Sequence, residues 1–192
     1  PYPAYKNSGV DWLGEIPAHW AIIRLRFACR ANPPKPELSG VPADTEVSFL
    51  PMERIGEDGD LALEETRTIE QVRLGYTCFC DQDVIVAKIT PCFENGKGAL
   101  CQGLSNGIGF GTTELHVLRA REGITPKFIF YLTRFQPFRT LGTSMMNGSA
   151  GQQRVPEEFI KDFRIAIPSP KEQQAIVAFL DRETATLDSL IA

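Results

Sequence analysis

The chain has 192 residues, 43% of them hydrophobic and 23% charged, with a formal net charge of −4. That length accommodates one domain with a sizeable core, no apolar run reaches the roughly 18 residues of a membrane-spanning helix, and the acidic balance excludes a uniformly basic nucleic-acid binder. The charge is unevenly placed: residues 85–165 hold 10 basic and 6 acidic side chains, against 8 and 14 in residues 1–84 and 2 and 4 in residues 166–192. The central third therefore suits a phosphate-facing surface.

The start, Pro1-Tyr2-Pro3-Ala4-Tyr5, has neither a charged n-region nor an apolar h-region, and reads as an internal start in a cytoplasmic protein. Short apolar or alternating runs predict strands over residues 22–27, 47–50, 84–89, 98–100, 115–118 and 165–167, separated by Gly, Pro, Asn and Asp clusters. The loop Asn32-Pro33-Pro34-Lys35-Pro36 and the acidic stretch 53–65 read as surface connections. Thr125 followed by Pro126 opens a helix over residues 128–135 that Pro137 should kink or end. A second short helix starts at Pro156 and buries Phe159, Ile160 and Phe163.

The C-terminal segment has the clearest helix start. Ser169 and Glu172 form an S-x-x-E capping box with Pro170 in the first turn, and no Gly or Pro follows. Ile176, Phe179, Leu180, Leu187, Leu190 and Ile191 recur at helical spacing and draw one apolar stripe along roughly 30 Å of helix. Such a stripe either docks on its own domain or forms a coiled coil, and its length at a chain end favours the coiled coil. The predicted fold class is α+β: a strand-rich globular domain over residues 1–168, then a long C-terminal helix of coiled-coil type, residues 169–192, opening a helical spacer or dimerisation region.

No motif in the sequence supplies catalytic chemistry. Cys29, Cys78, Cys80, Cys92 and Cys101 show no C-x-x-C spacing and read as reduced, mostly buried thiols; His19 and His116 lie far apart in sequence. Asn32-Pro33-Pro34 resembles the N-P-P-aromatic motif of amino-methyltransferases, but Lys35 stands where the aromatic ring should be. Gly107-Ile108-Gly109-Phe110-Gly111 resembles a phosphate cradle, yet residues 113–119 read as a strand rather than the required helix. The expectation is a non-catalytic chain with no metal and no cofactor.

Two polar loops remain. In Asp83-Val84-Ile85-Val86-Ala87-Lys88-Ile89-Thr90-Pro91-Cys92-Phe93-Glu94-Asn95-Gly96-Lys97-Gly98 an apolar strand runs into a turn where Lys88 and Lys97 suit phosphates, while Thr90 and Asn95 suit base edges. In Met146-Asn147-Gly148-Ser149-Ala150-Gly151-Gln152-Gln153-Arg154-Val155-Pro156, Gln152, Gln153 and Arg154 have the planar donors that read adenine and guanine, and glycines allow close approach. Thr112, Asn147 and Ser149 complete the candidate DNA-binding set. The alternative is a solvated turn for each.

Five segments in order carry a family resemblance: Ser8-Gly9-Val10-Asp11-Trp12-Leu13-Gly14-Glu15-Ile16-Pro17-Ala18-His19-Trp20, the lysine-bearing loop, Gly109-Phe110-Gly111-Thr112-Thr113-Glu114-Leu115-His116-Val117-Leu118-Arg119, the glutamine-bearing loop, and Ile165-Ala166-Ile167-Pro168-Ser169-Pro170-Lys171-Glu172-Gln173-Gln174-Ala175-Ile176-Val177-Ala178-Phe179-Leu180-Asp181. Together they resemble the target-recognition domain of specificity (S) subunits from type I restriction-modification systems. The resemblance implies a reader of one half of a bipartite duplex-DNA target. It also implies helices that space two such domains and dock modification (methyltransferase) subunits, with Ile176, Phe179, Leu180, Leu187 and Leu190 as the interface and self-association as one use of it. Adenine methylation then belongs to the modification subunit, and ATP-driven cleavage to the restriction subunit. The competing classes are an enzyme built around Asn32-Pro33-Pro34 or a cysteine, and a protein-interaction module acting through its C-terminal helix.

Overall fold

The structure is a computed structural model that describes residues 2–35, 38–149 and 151–191; Pro1, Pro36, Glu37, Ala150 and Ala192 lie outside the described residues. It is α+β, as the alternating runs predict. The antiparallel hairpin of β1 (Tyr5–Asn7) and β2 (Glu15–Pro17) leads into β3 (Ala21–Arg24). Strand β3 pairs antiparallel with β12 (Arg164–Ile167), so the two ends of the domain meet.

Two four-stranded sheets form the body. The first has the order β6 (Thr66–Thr68), β5 (Glu46–Leu50), β10 (Ile108–Gly111), β7 (Thr77–Cys80), with β10 and β5 parallel. The second is wholly antiparallel, in the order β4 (Cys29–Ala31), β11 (Leu115–Ala120), β8 (Asp83–Ala87), β9 (Gly98–Leu100). Strand β8 reads as a continuous apolar run because both of its faces are covered: Ile85 and Ala87 pack between the sheets with Phe79 and Leu115, while Val84 and Val86 turn to the helical side. The bidentate pair of Arg119 with Asp83, which is 1% exposed, spans the β8–β11 register at 2.7–2.8 Å.

The helical side holds α2 (Pro126–Arg134), α3 (Gln136–Ser144) and α4 (Glu157–Asp162), which seat Ile129, Phe138 and Ile160 against β8 and β11. The first sheet's outer face is covered by α1 (Ile69–Val72). Strand β10 occupies most of the glycine-rich stretch at residues 107–111, for which no strand was predicted. Its glycines admit the Phe79 ring, since a Cβ at Gly109 would lie 2.2 Å from Phe79 Cε2 and one at Gly111 would lie 2.5 Å from the Leu50 carbonyl oxygen.

The C-terminal helix α5 (Pro170–Ile191) begins at the expected capping box, with Ser169 N–H donating to Glu172 Oε2 at 3.0 Å and Glu172 N–H to Ser169 Oγ at 3.4 Å. Its first three turns dock on the domain. Gln173 is 1% exposed and its side-chain NH2 donates to the Pro168 carbonyl, while Tyr131 and Lys127 reach Asp181 at 2.5 and 2.9 Å. The docked face is thus set by Gln173 and Val177 rather than by the whole predicted stripe: Ile176 and Leu180 are half-buried, and Phe179, Leu187 and Leu190 face solvent.

Candidate nucleic-acid interface

The two sequence-predicted loops, some sixty residues apart, lie side by side. Residues 147–154 form a hairpin-like loop closed by Asn147 and Arg154, which exchange both backbone hydrogen bonds at 3.0 and 2.8 Å. That loop then pairs with the lysine loop: Thr90 N–H donates to the Gln153 carbonyl at 2.9 Å, and Val155 N–H to the Lys88 carbonyl at 2.8 Å. Lys88 N–H in turn donates to the Glu114 carbonyl at 2.9 Å. Three segments from β8, β11 and the approach to α4 are held in one layer.

Buried groups fix this layer from below. Phe93, 1% exposed, roots the lysine loop under α3, its ring centroid 6.0 Å from that of Phe138. His116 Nε2 lies 2.9 Å from the Val155 carbonyl, an acceptor only, so Nε2 carries the proton and Nδ1 accepts from the Asn32 side-chain NH2 at 3.2 Å. The same Asn32 amide donates to Glu157 Oε2 at 2.7 Å, and its Oδ1 accepts Val117 N–H at 2.9 Å. Burial holds the His116 pKa below its ordinary value. Asn32, His116 and Glu157 were not among the candidates, because neither their spacing nor their chemistry marks a contact made across 84 and 125 residues.

Several predicted contact residues have partners within the protein. Lys97 Nζ donates to the carbonyls of Met52 and Ile55 at 3.2 and 3.0 Å, and Asn95 Nδ2 donates to Glu57 Oε1 at 2.9 Å. Thr90 Oγ1 donates to Glu94 Oε1 at 2.8 Å, and Thr112 Oγ1 accepts Glu114 N–H at 3.2 Å. Arg154 grips Glu114 through both Nε and Nη2, at 2.8 and 2.7 Å, while Nη1 donates to the Gln152 carbonyl. The guanidinium beside Glu114 holds that carboxyl below its usual range. Among the described residues, the side chains of Lys88, Asn147, Ser149, Gln152 and Gln153 have no hydrogen-bond or ion-pair partner; Asn147, Ser149 and Gln152 are exposed and Lys88 and Gln153 half-buried.

Beside Lys88 opens a cleft of about 270 Å³ between the two sheets, lined by Asn32, Lys35, Tyr76, Thr77, Lys88 and Thr113 among others. No group of three or more His, Cys, Asp or Glu side chains able to hold a metal occurs among the described residues. What these loops leave without an intramolecular hydrogen-bond or ion-pair partner, among the described residues, is the amides of Asn147, Gln152 and Gln153, the Ser149 hydroxyl and the Lys88 ammonium.

The fold is thus a two-sheet body with adjacent polar loops, followed by a C-terminal helix that docks through its first turns. Residues 105–190 match the family model described as the type I restriction modification DNA specificity domain. The specificity subunits of the type I restriction enzymes EcoEI and EcoAI from Escherichia coli are 38% and 39% identical to the chain over 178 residues, which are 92% of this chain and 30% of each relative. Among solved structures, the HsdS subunit from Thermoanaerobacter tengcongensis has a TM-score of 0.72 over 91% of this chain and 44% of that one, at 22% identity. The type I S subunit from M. genitalium has a TM-score of 0.52 over 90% of this chain and 41% of that one, at 15% identity. Over these spans the chain is similar to specificity subunits of type I restriction-modification systems. It spans about a third of the length of the curated relatives it matches.

Proposed function

We propose that the chain reads a duplex-DNA sequence as the recognition part of a type I restriction-modification specificity subunit. It directs adenine methylation by modification subunits and cleavage by a restriction subunit, and performs no chemical step itself. The observation that carries this reading is the joining of two sequence-distant loops by the Thr90–Gln153 and Val155–Lys88 backbone hydrogen bonds, with unpartnered Lys88, Gln152 and Gln153 beside them. The reading places Lys88 on a phosphate, and Asn147, Ser149, Gln152, Gln153 and Arg154 toward base edges. Thr90, Asn95, Lys97 and Thr112 serve it by shaping the loops, since each already has an intramolecular partner.

Residues 1–168 act as the recognition domain, and residues 169–192 begin a helical spacer. The domain holds Asp181 of α5 through Tyr131 and Lys127, and further along the helix Leu187 and Leu190 are 58% and 78% exposed. Those exposed apolar side chains support assembly with a modification subunit or a second helix. No described helix is long and apolar enough to cross a membrane, and the proposed setting is cytoplasmic.

The test is binding of Gln152→Ala and Gln153→Ala variants to the preferred and to scrambled duplexes. The preferred site should be found by selection from random duplex, and each variant should lose roughly 1–3 kcal/mol on it and much less on scrambled DNA. Selection that enriches no sequence would instead make the helix the functional part.

A further inference from the structure

We infer that the cleft between the two sheets is a phosphodiester-binding site, in which Lys35 and Lys88 hold a backbone phosphate of the DNA strand lying beside the reading loops. This deepens the DNA-reading proposal and rests on it. Lys35 stands in the Asn32-Pro33-Pro34-Lys35 stretch, where the sequence offers only a failed methyltransferase motif. The structure gives that stretch another use.

Lys35 and Lys88 come from different parts of the fold, one after β4 and one after β8, and both line the same opening. Lys35 Nζ is tethered by two carbonyls, Arg73 O and Tyr76 O, each at 3.0 Å, and lies 5.3 Å from the Phe110 ring centroid. An ammonium has three donors, so one N–H of Lys35 is left over on a cation that is already positioned. Lys88 Nζ has no hydrogen-bond or ion-pair partner among the described residues. Thr77 and Thr113 add hydroxyl donors to the lining, and no carboxylate is among the described residues that line it. Glu114, the nearest acid in the chain to Thr113, is gripped by Arg154, and Glu157 is engaged by Asn32 and Lys161.

Two cations and two hydroxyls, with the neighbouring Glu114 carboxylate already engaged by Arg154, fit a monoanionic phosphodiester. An acidic protein segment fits less well, because an opening of about 270 Å³ takes a compact anion. The site also sits where a strand backbone would pass: Lys88 is bonded through its carbonyl to Val155, immediately after Arg154. A phosphate held there fixes the register of the duplex against Gln152 and Gln153 without itself reading sequence.

The experiment is a set of salt titrations of the 192-residue chain and its Lys35→Gln, Lys35→Arg and Lys88→Gln variants on the preferred and a scrambled duplex, with folding checked by thermal melting. Lys35→Gln should weaken both duplexes by a similar factor and flatten the salt dependence by about one phosphate, and Lys35→Arg should restore most of the slope. A scan of the preferred duplex with single neutral methylphosphonates should reveal one position that weakens the unaltered chain but not Lys35→Gln. If the unaltered chain selects a sequence while Lys35→Gln keeps its full salt slope and no phosphonate position couples to it, the phosphate site is wrong and the reading stands. If the unaltered chain selects no sequence at all, both fall.

Discussion

Glu172, in the first turn of α5, accepts a hydrogen bond from Trp20 Nε1 at 3.1 Å and lies 2.8 Å from Nε2 of His19, across more than 150 residues. One carboxylate therefore closes the helix cap, through Ser169, and ties the helix to the segment that leads into β3. The bonds from Ser169, His19 and Trp20 hold its pKa down to about 2. A depressed carboxyl contributes stability that is present above its ordinary pKa near 4.5 and is lost as pH falls through about 2. Glu172→Gln should lower the melting temperature at pH 7 and reduce the loss seen between pH 4.5 and 2. Trp20 emission should shift to the red. An unchanged melting profile across that range would show that the tether contributes nothing.

His116 gives the loop layer its own acid sensitivity. Its folded pKa lies below 6.5 because it is buried, with Lys88 adding to the depression and Glu157 and Glu158 opposing it. Protonation also puts a hydrogen on Nδ1, facing the Asn32 NH2 donors. The contribution is complete above pH 6.5 and is lost as pH falls from there through the depressed value. The loop of residues 147–155 should loosen first, because His116 holds the Val155 carbonyl. Melting temperatures of the unaltered chain and His116→Gln between pH 7.5 and 5 test this: parallel curves would count against it.

Gly142 lies in α3, where alanine ordinarily stabilises a helix by roughly 0.5–1 kcal/mol. Here a Cβ would meet Phe93 Cζ at 2.4 Å, and that ring is fully buried beneath the lysine loop. Overpacking costs about 1–3 kcal/mol, so the clash outweighs the propensity. Gly142→Ala should destabilise by about 1–2 kcal/mol in denaturant titration. A stabilised variant would mean that Phe93 has room to move.

Strands β3, β5, β8, β9, β11 and β12 were legible because alternation and burial leave their mark on each residue: every predicted run overlaps one of them, although residues 25–27 form a 3-10 helix. Strands β1, β2, β4, β6 and β7 were too short or too polar to show. Strand β10 was hidden by glycines, which serve the Phe79 ring rather than a turn. Helix α3 was hidden because Pro137 reads as a stop, whereas it stands at the start of a new helix. The stripe on α5 was only partly informative, since Phe179 turns outward under Arg182 and the polar Gln173 takes the buried place. The candidate loops could be picked by residue type, but not the fate of their side chains. Lys97 and Asn95 find partners 38 to 45 residues away, and no local pattern records that.

The pairing of Arg154 with Glu114 leads to the sharpest expectation. Both oxygens of Glu114 occupy the fork of Arg154, the same two donors that would grip the O6 and N7 edge of guanine or a phosphate. Glu114 therefore stands in for the ligand, and it places a negative charge on the face proposed to meet DNA. Binding any duplex requires either that Arg154 leave Glu114 or that the pair approach DNA as a neutral unit. In the first case only a sequence that repays the lost ion pair recruits Arg154, so Glu114 penalises wrong sites. Glu114→Gln should then bind scrambled duplex roughly three- to tenfold more tightly, with a steeper salt dependence, and gain less on the preferred site. Arg154→Ala in the same background should cancel the gain. Equal tightening on both duplexes that survives removal of Arg154 would mean Glu114 acts only through its charge, and Arg154 would then be a structural clamp on the loop.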